Sequence, residues 1–170
     1  MNVLILGIGQ SMRGDDAAGL EAVQLWQKQH PDSAAQVKVE LSELPGLALL
    51  DLMEDVEVAV LVDSIQKSAL PGTIIRLGPD ELDGFTPDAR SAHGWGVAET
   101  LQLGRSLYPA LAKCRVTLIG IAGKDFGLGA DLSPIVREAL DKASDMVERE
   151  TQKALKNQKA GTGQVSAFPN

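Results

Sequence analysis

Two adjacent carboxylates at Asp15 and Asp16, a third at Asp63 and an imidazole at His93 are the side chains of this chain that could act together on one ligand. A carboxylate after an early strand, Asp63 and His93 would offer oxygen and nitrogen donors to a borderline divalent ion. They would leave coordination positions open, as a catalytic or transiently used metal site requires. Each also has a plain structural use. Asp15 or Asp16 can cap a helix, and a histidine among small residues can donate to a main-chain carbonyl. Asp63 fits such a use less well, because it closes the apolar run AVLVD, where a carboxylate gains little unless it serves a turn or a ligand.

The elements that must position these residues follow from hydrophobic spacing. The run NVLILGIG (Asn2 to Gly9) is continuously apolar and closed by glycines, the pattern of a parallel strand covered on both faces. From Ala17 to Gln29, the residues Ala18, Leu20, Val23, Leu25 and Trp26 recur at helical spacing, with Asp15 or Asp16 available as the cap. VKVELSE (Val37 to Glu43) alternates as a half-exposed strand does, and Leu47, Leu49, Leu50 and Met53 predict a short helix. VEVAVLVD (Val56 to Asp63) is the third strand. LPGTIIRL (Leu70 to Leu77) carries a turn at Pro71 and Gly72 and then a strand or hairpin arm.

Gly78 to Arg90 is polar with two prolines and reads as one long loop. SAHGWG (Ser91 to Gly96) then enters a helix marked by Val97, Leu101, Leu103 and Leu107 and stopped by Pro109, so His93 lies near a helix start. RVTLIGIAG (Arg115 to Gly123) is the last strand, with Cys114 as a buried residue at its edge. A glycine-rich loop follows, and Ser133 and Pro134 form a cap and first turn for a final helix striped by Val136, Leu140, Ala143 and Val147. Beyond Lys156 the periodicity stops, which divides the chain into a single domain over residues 1–156 and a flexible tail over 157–170.

Strand and helix alternate, which predicts an α/β fold: three layers, with a twisted, mainly parallel sheet of about five strands and helices on both faces. In such sheets ligands gather in the crevice beyond the carboxyl ends of the strands, where the carboxylates fall. A dinucleotide is disfavoured there. Met12 stands where the third glycine of G-x-G-x-x-G belongs, and Asp15 and Asp16 would repel a pyrophosphate.

With 170 residues the chain suits one domain, and 16 basic against 23 acidic residues give a net charge of −7, which disfavours nucleic acid as a partner. The opening apolar run is too short for a membrane span and lacks a basic leader, so the expectation is a cytoplasmic protein without membrane insertion. One cysteine forms no internal disulfide and no zinc cluster. Of the two histidines, His30 stands beside a proline at a helix end. Neither the H-E-x-x-H pair of zinc proteases nor a G-x-S-x-G nucleophile turn is present.

Taken in order, GIGQSMRGDDAAG, LVDSIQ with LPGT, SAHGWGVAETL, and VTLIGIAG with its glycine-rich loop and DLSP resemble the hydrogenase maturation endopeptidases over about residues 2–150. The chain differs from the usual family pattern at Gln10, Ala17 and Ala122-Gly123, none of them a candidate ligand. The resemblance implies cleavage of a carboxyl-terminal extension from the nickel-loaded large-subunit precursor of a nickel-iron hydrogenase. It also implies that Asp16, Asp63 and His93 bind the nickel, which the substrate carries, or another divalent metal in the isolated protein. The same crevice in a non-catalytic nickel-binding or chaperone module is the alternative. A small-molecule hydrolase on this scaffold would need a nucleophile that the sequence does not offer.

Overall fold

The structure, a computed structural model, describes residues 2–43, 46, 48–66, 69–83, 96–109 and 111–162. Five strands form one sheet in the order β2-β1-β3-β5-β4, where β1 is Val3–Ile8, β2 Lys38–Ser42, β3 Val58–Ile65, β4 Ile74–Leu77 and β5 Arg115–Ala122. All neighbours run parallel except β4, which lies antiparallel on β5 at the edge, with Ile74 opposite Ile121. The expected α/β architecture is present.

Alternation along the strands divides the core into two layers. Val3, Ile5, Val60, Val62, Ile119 and Ile121 face α1 (Ala18–Gln29), the short α2 (Pro31–Ala34) and α6 (Pro134–Thr162). Leu4, Leu6, Ala59, Leu61, Val116 and Leu118 face α3 (Ala48–Asp51), α4 (Pro79–Asp83) and α5 (Val97–Leu107). Each such Leu, Ile or Val, taken fully out of water, contributes roughly 1.5–3 kcal/mol before conformational entropy is subtracted. Trp26 is wholly buried between α1 and α6, and its indole N–H donates to Glu148 at 2.8 Å, so burying the ring leaves no polar atom unpaired. Ser33 and Gln152 donate to the same carboxylate, which joins α2 and α6 to that contact.

Three sequence expectations change. The stretch from Gly78 is not loop throughout: Pro79 opens a helical turn, Glu81 accepts the Gly78 amide at 2.6 Å, and Leu82 enters the core at 3% exposure. The final helix runs to Thr162 rather than stopping near Lys156, with Ala154 and Leu155 still buried. Neither Asp15 nor Asp16 caps α1, whose N-cap is Ala17 without a side-chain bond. The rest of the Gly78–Arg90 loop and His93 lie outside the described residues.

Candidate functional site

Strand order creates a crevice. From β1 the chain crosses to β2 on one side, while β3 lies on the other and leads towards β5 and β4, so the connections diverge where β1 and β3 end. Main chain packs closely there. A Cβ on Gly19 would press on the carbonyl oxygens of both Ile8 and Val62, so the absence of a side chain lets the first turn of α1 seat directly over the two strand ends. Just before it, residues Gly14–Ala17 make one 3-10 turn that carries Asp15 and Asp16.

That turn sends the two aspartates to different uses. Asp15 is fully buried, and its Oδ2 accepts the amides of Lys124 at 2.7 Å and Asp125 at 2.9 Å and the Ser133 hydroxyl at 2.8 Å. Its Oδ1 accepts the Ser133 amide at 2.7 Å. Burial pushes the Asp15 carboxyl up, and these bonds from the Asp125, Lys124 and Ser133 amides and the Ser133 hydroxyl more than offset it, leaving it below the ordinary value of 3.8. It is a structural anchor. It ties the turn after β1 to the loop between β5 and α6, which the main-chain bonds Gly129 N–H to Met12 O and Gly14 N–H to Ala130 O reinforce. Gly14 sits at φ +54°, in the left-handed region that favours glycine. The Ser133 hydroxyl donates to Asp15, and Pro134 opens α6 as expected.

Asp16 turns instead towards β3. Its Oδ1 accepts the Ser64 hydroxyl at 2.9 Å, and the Ser64 amide donates to Asp63 Oδ1 at 2.8 Å. Asp16 and Asp63 thus meet at one residue, 48 positions from the first and next to the second, and both are half-buried. Ser64, the residue after Asp63, is the link. Burial pushes the Asp63 carboxyl up, the Ser64 amide opposes that, and the charge of Asp16 adds to it, for a value of about 7. A carboxyl so placed is partly protonated at neutral pH, and a cation bound to it would displace that proton to solvent.

Among the described residues, Asp16 and Asp63 are joined by no third His, Cys, Asp or Glu in a cluster able to hold a metal. The remaining candidate, His93, lies outside the described residues, three positions before Gly96 and the start of α5. Cys114 offers no alternative nucleophile: it sits at the opposite end of β5, 3% exposed, and burial pushes its thiol up to about 11. A surface groove of about 800 Å³ between Leu70–Ile74 and α6 includes neither carboxylate.

The surface around the site is unusual in composition. Of the exposed large apolar side chains among the described residues, Met12 (65%), Leu41 (40%), Leu70 (80%), Leu128 (83%) and Ile135 (47%) all sit on segments at the carboxyl end of the parallel strands. Only Leu107 and Tyr108 lie at the other end. They are spread along that end of the sheet, from Leu41 on the edge strand β2 to Leu70 and Ile135 beside β4 and β5.

A family model described as HycI, hydrogenase maturation protease, matches residues 27–150. The chain belongs to the hydrogenase maturation protease family. A Methanocaldococcus jannaschii protein carrying the same family description is 31% identical over 156 residues, which span 89% of this chain and 97% of that one. The [NiFe] hydrogenase maturation protease HybD of Thermococcus kodakarensis superposes with a TM-score of 0.67 at 28% identity, covering 89% of this chain and 99% of that structure. The hydrogenase maturating endopeptidase HybD of Escherichia coli does so with a TM-score of 0.70 at 25% identity, covering 91% and 94%. This maturation protease is therefore a peptidase on the same α/β fold as those enzymes.

Proposed function

We propose that this maturation protease removes a carboxyl-terminal extension from the large-subunit precursor of a [NiFe] hydrogenase, and that Asp16, Asp63 and His93 meet the nickel the precursor carries. The observation that carries the reading is the pairing of Asp16 and Asp63 through Ser64 at the divergence of β1 and β3. Two half-buried carboxylates there attract a cation, and a third donor from another part of the chain completes a partial, open coordination set. Nickel that arrives on the substrate both identifies a loaded precursor and fixes the scissile peptide beside the carboxylates. The chemistry is then hydrolysis, with water activated by an aspartate or the peptide carbonyl polarised by the nickel.

The apolar rim of Met12, Leu41, Leu70, Leu128 and Ile135 supports a folded protein as the substrate, because a small ligand at the carboxylates would not reach it. No described helix is long and apolar enough to cross a membrane. Incubating the protein with nickel-loaded precursor and weighing the product's carboxyl end by mass spectrometry tests the reading. Loss of a terminal peptide is the expected result. A stable complex with a full-length precursor would instead assign a nickel-inspecting chaperone.

A further inference from the structure

We propose that Ser64 is the positioning residue of the site, holding one oxygen of Asp16 and one of Asp63 so that the second oxygen of each is presented to the cation. The identity of that cation rests on the function proposed above; the tether itself rests on geometry. Strand alternation sends consecutive side chains to opposite faces. Asp63 shares the face of Ala59 and Leu61, which α3 and α5 cover, and Ser64 shares the face of Val60 and Val62, which α1 covers. Ser64 therefore reaches the turn ahead of α1 with its hydroxyl while its amide stays beside Asp63. Its main chain is fixed by register, since Ser64 lies opposite Ile121 on β5.

The bonds divide the work. The Ser64 hydroxyl has one proton, and it goes to Asp16 Oδ1 at 2.9 Å; the amide goes to Asp63 Oδ1 at 2.8 Å. Among the described residues, the hydrogen bonds to these two carboxylates all fall on Oδ1, and the proposal gives their Oδ2 atoms to the ligand. Without the hydroxyl, mutual repulsion would favour Asp16 rotating towards solvent, away from the charge of Asp63. Charge-assisted bonds of this kind are strong enough to hold a side chain against that tendency.

Ser64→Ala and Ser64→Thr separate the tether from a merely structural role, because alanine removes only the hydroxyl and threonine keeps it on a residue that strands accept readily. The measurements are Ni²⁺ titration of the isolated protein by calorimetry, KM and kcat on nickel-loaded precursor, thermal melting, and a crystal structure of the alanine variant. Expected for Ser64→Ala are a melting temperature within a few degrees of wild type, a Ni²⁺ Kd and precursor KM raised about tenfold or more, and an Asp16 carboxylate turned away from β3. Threonine should restore both constants to within about threefold of wild type. Unchanged Ni²⁺ affinity in Ser64→Ala, an unmoved Asp16, or a threonine variant as weak as alanine would overturn the proposal. So would loss of turnover at saturating precursor with binding intact, which would place Ser64 in the chemical step rather than in metal binding. Wild-type protein that binds Ni²⁺ but leaves the precursor uncut contradicts the protease reading while the Ser64 comparison still stands on binding.

Discussion

Folded Asp63, with its carboxyl pushed up to about 7 by burial and by the charge of Asp16, holds a proton that the unfolded chain releases near 3.8. Between those values the folded state binds more protons, so the contribution of Asp63 to stability falls as pH rises and stays unfavourable above about 7. Asp63→Asn keeps an oxygen for the Ser64 amide and removes the charge. Denaturant melts should show the variant more stable than wild type by roughly 1–3 kcal/mol at pH 8, with the difference shrinking towards pH 4, while precursor processing is lost. Asp15 has the opposite sign. Its lowered value means that its stabilisation is present above about 3.8 and is lost as pH falls through the folded value. Asp15→Ala takes the acceptor from the part-buried amides of Lys124, Asp125 and Ser133 and should cost roughly 2–4 kcal/mol by denaturant melting. The chain order shows two neighbouring aspartates after a strand. Which of them turns inward is set by the partners at Lys124, Asp125 and Ser133, more than a hundred positions away, and no local pattern encodes that.

At the scale of elements, the strands and long helices were legible because each buries one periodic face: all of β1 is buried, and Val136, Leu140, Ala143 and Val147 of α6 lie in the core. The misreadings have local causes. The five residues Pro79–Asp83 are too short to show a period, and their helical signal is the proline start and the Glu81 bond to Gly78. The end of α6 was misplaced because NQKAGT has no apolar stripe, although Ala154 and Leu155 just before it are still packed. The site is equally sensitive to element placement. Gly19→Ala forces α1 off the carbonyls of Ile8 and Val62, and should cost about 2 kcal/mol or more in melting and lower kcat/KM by displacing Asp16. A Gly19→Ala variant with wild-type stability and activity would show that α1 does not seat the carboxylate in this way.

Among the described residues, Asp16, Asp63 and most of the exposed large apolar side chains lie at one end of the sheet. Replacing Met12 and Leu128 together by serine should raise the KM for precursor about five- to tenfold with little change in kcat, whereas Leu107→Ser with Tyr108→Ser at the far end should leave both constants unchanged. Equal effects at the two ends would remove the rim from the account. Both pairs are solvent-exposed, so folding should tolerate either. The sequence places Asp16 and Asp63 in one crevice only because α/β order brings strand ends together; the bond from Ser64 to Asp16 could not be read from it. The central claim is that these carboxylates act on nickel borne by the substrate. The most direct test is the mass of precursor, with and without nickel, after exposure to wild type and to Asp63→Asn. Shortening of the nickel-loaded form by wild type alone is the predicted result, and equal shortening of nickel-free precursor, or cleavage by Asp63→Asn at the wild-type rate, would contradict it.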